Sequence, residues 1–372
     1  MPSSNPQRRS VLIVAHAAHV TGGVNNFLRI MRKCYRDRVA ALRFINGARL
    51  DEPSKGAKLA RLIKDYARFA GLQAKRQFEI VHVNPSLDYA SLPRELAFLW
   101  IARAFRPKTK LLLFYRGWDW TALDAIKKSG WKSRLFVATN RKADRILVLA
   151  SSFKHALMEM GIDGNRIFLG STMFEKDMFA NLPATPLEDR RTILFLSRFL
   201  PAKGGAQILE AFARLAGDYP DWKVVMAGDG PEYDALQKQA RDLGIVDRVE
   251  FTGYIASARK ARLLLDTSIF LLPSEHPEGM PNAVLEGMAA GAVIVTTPVG
   301  GLADILTDGE NGIILKSSST DDVEAALRHY LPDPEARCAT GERNRELAWQ
   351  SWESDIVSDR MADHYDAVIA QG

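Results

Sequence analysis

The chain has 372 residues, 47% hydrophobic and 25% charged, the balance of a soluble globular protein long enough for two domains. Its two cysteines, Cys34 and Cys338, lie too far apart in sequence to favour a disulfide framework or a cysteine metal centre, which fits a reducing compartment. Residues 1–180 carry 32 Lys and Arg against 14 Asp and Glu, and residues 181–372 carry 18 against 30, so the halves either meet different partners or attract each other.

The first ten residues, MPSSNPQRRS, put a basic pair before an apolar run at 11–15 that is too short for a signal peptide. No run approaches the ~20 apolar residues of a spanning helix. A cytoplasmic protein is expected. Strands are predicted at 11–15, 40–45, 80–84, 110–115, 145–150 and 166–169, with helices between them, among them 25–35 and 93–105. Such alternation predicts a parallel sheet covered on both faces. After the first strand, Gly22 and Gly23 make a turn into a helix, where backbone can approach a phosphate. The turn does not match G-x-G-x-x-G, so no dinucleotide site is expected. His16 and His19 have no carboxylate nearby and read as a loop feature. The chain contains no D-x-D triplet, and no metal is expected.

Residues 96–105 include nine apolar side chains, followed by Arg106, Lys108 and Lys110. Trp118, Trp120 and Trp131 come next, among Lys127, Lys128, Lys132 and Arg134. Aromatic surface beside basic charge suits an anionic membrane surface, which would put the protein at the inner face of the plasma membrane. A helix buried in the first domain, with solvated lysines, explains the same residues.

Residues 181–190, NLPATPLEDR, hold two prolines and no hydrophobic period and read as a linker. The alternation then restarts, with strands at 192–197, 223–227, 248–252, 268–272, 292–296 and 313–315 and a last helix over 351–369. The expected fold is α/β: two doubly wound Rossmann-like domains, 1–180 and 192–348, joined by a 181–191 linker, with 349–372 as a closing helix.

The chemistry gathers in the second domain. Arg198 and Lys203 follow its first strand, where doubly wound sheets bind ligands, and two such cations can converge on a diphosphate. The glycines of Gly228-Asp229-Gly230 read as a tight turn, with Asp229 structural. Further on, a polar loop at 274–280 leads to a helix predicted to begin at Pro281, a residue suited to the first helical turn. Glu278 sits just before that helix, where N–H groups point outward, and Glu286 lies about one and a half turns inside it. Two acceptors at two depths suit a ligand with phosphate in its middle and hydroxyl-rich sugars at its ends, which describes a nucleotide-sugar.

The stretch Glu278-Gly279-Met280-Pro281-Asn282-Ala283-Val284-Leu285-Glu286 resembles the E-x7-E element of the retaining glycosyltransferases of family 4, which have the GT-B fold. The resemblance extends to the Arg198 and Lys203-Gly204 turn and covers most of the chain, most specifically residues 192–311. It implies two domains facing each other across a cleft. It also implies retaining, metal-independent transfer of a hexosyl unit from a UDP- or GDP-sugar to an acceptor hydroxyl, in cell-surface glycan or glycolipid synthesis of bacterial type. The acceptor would be a glycan or a lipid-linked molecule; no nucleic acid partner and no cofactor are implied.

By the same resemblance Arg198 and Lys203 neutralise the leaving diphosphate, and Glu278 accepts hydrogen bonds from the transferred sugar. Backbone N–H groups near Met280, Asn282 and Ala283 touch sugar and phosphate, Glu286 holds the ribose hydroxyls, and Gly253, Tyr254 and Ile255 flank the base. Trp349 and Trp352 would anchor the final helix where it crosses to the first domain. One departure stands out: Arg116 occupies the place of a family histidine near the transferred sugar. An Arg cannot act as a base but can bind donor phosphate or an anionic acceptor. Asp119, the nearest carboxylate, is then either a base for the acceptor hydroxyl or a helix cap. A nucleotide-sugar 2-epimerase and a non-catalytic partner subunit of the same fold are the alternative readings.

Overall fold

The structure, a computed structural model, describes residues 8–15, 22–35, 37–46, 54–89 and 91–370. His16 and His19 lie outside these residues. The chain forms two compact units, one of Met1–Thr172 with Ser354–Gly372, the other of Met173–Glu353.

The first unit is built on β1 (Arg9–Ala15), β2 (Val39–Ile45), β3 (Ile80–Val83), β4 (Lys110–Phe114), β5 (Arg145–Val148) and β6 (Ile167–Leu169). They pair in the order β2-β1-β3-β4-β5-β6, parallel throughout. The middle strands are buried along their whole length, His82 and Arg145 included, because both faces are covered, as in parallel sheets generally. Between the strands run α1 (Gly23–Cys34), α2 (Lys55–Lys75), α3 (Ser91–Phe105), α4 (Trp120–Lys128), α5 (Gly130–Asn140) and α6 (Ser151–Glu159). A two-stranded ribbon, Ser86–Leu87 with Gly117–Trp118, extends β3 and β4 beyond the sheet. Its residues are too few to show a period, so no local pattern marks it.

The second unit repeats the plan. Its strands are β7 (Thr192–Leu196), β8 (Lys223–Ala227), β9 (Val249–Gly253), β10 (Thr267–Leu272), β11 (Val293–Thr296) and β12 (Gly312–Ile314), in the order β9-β8-β7-β10-β11-β12. The helices are α7 (Gly205–Leu215), α8 (Tyr233–Asp242), α9 (Ser257–Leu265), α10 (Asn282–Ala289), α11 (Thr320–Tyr330) and α12 (Pro334–Ser351). All twelve predicted strands are present. Both units are Rossmann-like and doubly wound.

Three boundaries differ from expectation. The segment at 181–191 is part of the second unit, not a free linker. Arg190 is buried there and donates to the carbonyls of Thr185, Thr267 and Ala290 at 2.9–3.1 Å. A proline-rich composition does not reveal that one guanidinium satisfies three backbone carbonyls, each costing ~1–3 kcal/mol if left bare. Second, the helix expected over 351–369 is α13 (Ser354–Ala370), separated from α12 by Trp352 and Glu353. Third, Trp349 and Trp352 serve the second unit. The Trp349 indole donates to Ala289 O at 3.1 Å and packs edge-on against Phe174, while Trp352 O accepts from Phe174 N.

α13 belongs to the first unit. Its Tyr365 hydroxyl lies 2.7 Å from Nδ1 of the buried His82 on β3. Asp366 pairs with Arg9 at 2.7 Å and with Arg38 at 2.9 Å, and Asp363 with Arg38 at 2.7 Å. Part of the acidic second half is thus spent inside the basic first unit. Each such exposed pair is worth only about 0–1 kcal/mol, so the buried Tyr365 and Val368 do more to hold the helix.

Candidate functional site

The turn after β7 carries Arg198 exposed and Lys203 buried on a short 3-10 turn, Pro201–Lys203. The Lys203 ammonium meets the Glu278 carboxylate, which arrives on the loop after β10. The two loops are tied by backbone: Ala202 O accepts from Glu275 N at 2.8 Å and from His276 N at 3.1 Å. Burial first, and the like charge of Arg198 second, push the Lys203 ammonium down to about 8; the Glu278 carboxylate beside it works the other way.

The Glu278 loop is fixed from its other side by the Gly300–Gly301 turn. Gly301 N donates to Gly279 O at 2.7 Å. Gly300 has φ +57°, and a Cβ there would stand 2.3 Å from Gly279 O and 2.4 Å from Glu278 O. Gly300→Ala is therefore expected to push the Glu278 loop away from Lys203. A displacement near 1 Å at a reacting centre costs roughly 10²-fold. The prediction is a fall of that order in kcat/KM with the fold retained by circular dichroism; unchanged turnover would show that the loop position does not matter.

α10 starts one residue later than predicted. Pro281 is extended (ψ 120°) and is the N-cap, contributing no side-chain cap, so the first turn is led by the N–H groups of Asn282 and Ala283. Met280 is buried beside them. Further in, Glu286 is buried with both carboxylate oxygens on Lys260 Nζ, at 2.7 and 2.8 Å. Burial raises the Glu286 pKa and Lys260 opposes it. Lys260 is a site residue that sequence reading missed. Nothing in the sequence around it on α9 marks it; only the packing of α9 brings it to Glu286.

Gly253 (φ +65°) ends β9, and Ser257 (φ +51°), in a region that non-glycine residues seldom adopt, opens α9. Between them Tyr254 is 75% exposed and Ile255 is buried. The glycines of the 228–230 loop do more than turn the chain. A Cβ on Gly228 (φ +143°) would stand 1.8 Å from Ser197 O, so this loop packs directly on the backbone that presents Arg198. Phe199 N donates to Asp229 O at 2.8 Å, and the Asp229 side chain accepts from Gly230 N. Arg198, Lys203 and Glu278 therefore stand beyond the C-terminal ends of neighbouring strands β7 and β10, on turns and loops locked to one another, and Glu286 follows on α10.

In the first unit, Gly22 and Gly23 open α1, whose N-terminus has no side-chain cap. Arg116 follows β4 and stacks on two rings, its guanidinium carbon 3.9 Å from the Phe27 ring centre and 4.2 Å from that of Phe114. Asp119 caps α4, accepting from Thr121 N at 2.8 Å and from Ala122 N at 3.3 Å; of its two readings, the structure displays the cap. Half of the apolar residues of α3 are core, Leu92, Leu96, Phe98, Leu99 and Ala102, while Trp100 and Phe105 are exposed. Further exposed aromatic and basic surface lies on α4 and α5, with Trp120, Trp131 and Leu135 beside Lys127, Lys128, Lys132 and Arg134. Among the described residues no helix is long and apolar enough to cross a membrane.

Residues 179–347 match the family model described as glycosyl transferases group 1. A GDP-mannose-dependent alpha-(1-6)-phosphatidylinositol monomannoside mannosyltransferase of Mycolicibacterium smegmatis is 28% identical over 183 residues, 48% of this chain and 48% of that protein. A lipopolysaccharide core biosynthesis glycosyltransferase, LpsE, of Rhizobium meliloti is 31% identical over 171 residues, 46% of this chain and 48% of that one. These alignments span about half the length of the curated relatives. Among solved structures, Anabaena Alr3699/HepE in complex with UDP and glucose superposes with a TM-score of 0.73 at 18% identity, over 97% of this chain and 100% of that one. The fold is GT-B.

Proposed function

We propose that the protein is a glycosyltransferase that moves a hexosyl unit from a UDP- or GDP-linked sugar to an acceptor hydroxyl, with retention at the anomeric carbon and without a metal ion. The observation that carries this reading is the meeting of Lys203 and Glu278 on interlocked loops, with Arg198 on the same turn and Glu286 further along the same helix unit. Arg198 and Lys203 hold the diphosphate and neutralise it as the bond from the anomeric carbon to phosphate oxygen breaks. The acceptor oxygen bonds that carbon on the same face and its proton passes to the departing phosphate oxygen. The N–H groups of Asn282 and Ala283 add fixed positive dipoles at the phosphate. Glu278 orients the sugar, Glu286 the ribose, and the 253–255 backbone the base. No enzyme nucleophile takes part. The group 1 match over this unit and the glycolipid and lipopolysaccharide names of its relatives support an acceptor in cell-surface glycan or glycolipid synthesis.

The test is turnover of UDP- and GDP-sugars with and without EDTA, with the product's anomeric configuration read by NMR. Retained configuration at an undiminished rate in EDTA is expected. Inversion, or a rate that vanishes with chelation, would overturn the corresponding part of the proposal. Conversion of donor with no acceptor present would make the protein an epimerase.

The proposal includes docking on anionic lipid through the α4–α5 surface, at the cytoplasmic face of the plasma membrane. Trp131 and Leu135 are exposed beside Lys132 and Arg134. Burying one such side chain is worth about 1.5–3 kcal/mol, so Trp131→Ser with Leu135→Ser is expected to weaken sedimentation with anionic vesicles at least roughly tenfold. Equal, negligible binding of the unaltered protein to anionic and neutral vesicles would end the idea.

A further inference from the structure

The pair of Glu286 on α10 and Lys260 on α9 is unequally shielded. Glu286 keeps 6% of its side-chain surface and Lys260 keeps 23%, so the cost of burial falls on the acid. One ammonium spans both oxygens, at 2.7 Å to Oε1 and 2.8 Å to Oε2. A carboxylate bridged in this way cannot turn about its last bond without breaking a contact.

The count of acceptor sites matters. An ionised carboxylate offers about four lone-pair sites. Lys260 takes one on each oxygen and leaves about one on each, the number that the two hydroxyls of a vicinal diol fill. A protonated acid carries an O–H donor in place of an acceptor and cannot receive both hydroxyls equally. Burial favours that protonated form. Elements packed on α10 supply little to oppose it. Arg190 is spent on the Ala290 carbonyl at the far end of the helix, and from α12 Trp349 and Asn344 donate to the carbonyls of Ala289 and Ala292. Neither β10 nor β11 carries an ionisable side chain. Among the described residues Lys260 is the one charged group that acts on Glu286.

We infer that Lys260 is a positioning residue for the nucleotide. By bridging both Glu286 oxygens it keeps this buried acid ionised and turned to accept the 2′- and 3′-hydroxyls of a ribose, and so favours ribonucleotide over 2′-deoxyribonucleotide. The ribose at Glu286 rests on the transferase reading above; the charge held on Glu286 does not.

The experiment has two arms, both on the full chain. The first is calorimetric titration with UDP, GDP and their 2′-deoxy counterparts between pH 6 and 8, for the unaltered protein, Lys260→Met and Lys260→Arg. Each affinity is read against the unaltered protein at the same pH, which cancels the nucleotide's own protonation. The unaltered protein should prefer the ribonucleotide by roughly tenfold or more. Lys260→Met should bring that ratio towards one and bind ever more weakly, relative to the unaltered protein, as pH falls. Lys260→Arg, whose fork can also span a carboxylate, should keep most of the ratio. Lys260→Gln keeps an N–H donor without the charge and answers the same question if Lys260→Met does not fold. A ratio and pH profile unchanged in Lys260→Met, with only the melting temperature lowered, would make Lys260 a structural tie and overturn the inference.

The second arm needs no nucleotide. It compares the melting temperature of Lys260→Met with that of Lys260→Met/Glu286→Gln from pH 5 to 8. Without Lys260 the acid binds its proton more tightly in the folded than in the unfolded chain, so the stability it contributes is lost as pH rises through the folded value. Lys260→Met should therefore fall in melting temperature relative to the double variant as pH rises. Parallel curves would show that Lys260 does not set the charge on Glu286, and would overturn the inference while leaving the transferase reading intact. If no nucleotide binds the unaltered protein but the curves diverge, the transferase reading falls, the ribose assignment falls with it, and the charge-setting role of Lys260 stands.

Discussion

Replacing Glu286 by alanine is expected to abolish the stabilisation that a nucleotide-sugar donor confers. The carboxylate is buried on α10, and Lys260 at 2.7 and 2.8 Å opposes the upward push of burial, so it favours the ionised acceptor. Two hydrogen bonds from ribose hydroxyls to a charged acceptor are worth about 1.5–3 kcal/mol each. On the proposed reading, losing both weakens the donor by roughly 10²–10⁴-fold. The alanine variant also leaves Lys260 without its partner, so some loss of stability in the absence of donor is expected too. Glu286→Gln keeps the shape but not the charge and should fall between. A panel of UDP- and GDP-sugars, without metal, is measured by thermal shift and calorimetry. A donor that stabilises the unaltered protein and Glu286→Ala equally would remove Glu286 from the nucleotide site.

Lys203→Met is expected to lower kcat by about 10²–10³-fold, the usual cost of removing one preorganised group that meets developing charge. The KM for donor should change less, because on the proposed reading Arg198 and the start of α10 would still hold the phosphates. The substitution also leaves the partly buried Glu278 carboxylate without a counter-charge, which destabilises the fold. Combining it with Glu278→Gln should restore stability without restoring turnover. Turnover of Lys203→Met within threefold or so of the unaltered enzyme would contradict the electrostatic role.

The same lysine sets a pH limit. Its folded-state value, about 8, lies below the 10.5 of a free lysine. Between these values the unfolded chain holds the proton that the folded chain releases, so this group's destabilising contribution below pH 8 is relieved as pH rises to 10.5. Activity moves the opposite way. The cation that the proposed reading needs at the diphosphate is lost above about pH 8 in the donor-free protein, so kcat/KM should decline there while kcat, measured with diphosphate bound, declines later. A flat kcat/KM from pH 7 to 9.5 would show that the Lys203 charge does not limit the reaction.

Strand positions were legible because a parallel sheet buried on both faces demands short apolar runs at regular intervals. Arg198, Lys203, Glu278 and Glu286 were legible because they flank those runs at the strand ends where doubly wound folds bind ligands. The E-x7-E spacing made the two acids stand out as a pair. Lys260 was not legible: a lysine on an amphipathic helix reads as solvated until α9 is packed against α10. Arg190 hid in a segment whose prolines suggested a free linker, since composition says nothing of the carbonyls that a guanidinium will meet.

The sequence by itself determined two alternating α/β units, the positions of the four charged residues and the glycines that let their loops approach. Those features depend on local periodicity and on residue type, which the chain states directly. Only the tertiary structure decided that Lys203 meets Glu278, that Lys260 holds Glu286, and that Arg116 lies between two aromatic rings. It also decided that α13 returns acidic residues to the basic first unit and that Asp119 caps α4. Each of these depends on residues distant in sequence arriving at one place, which packing fixes and no local pattern records.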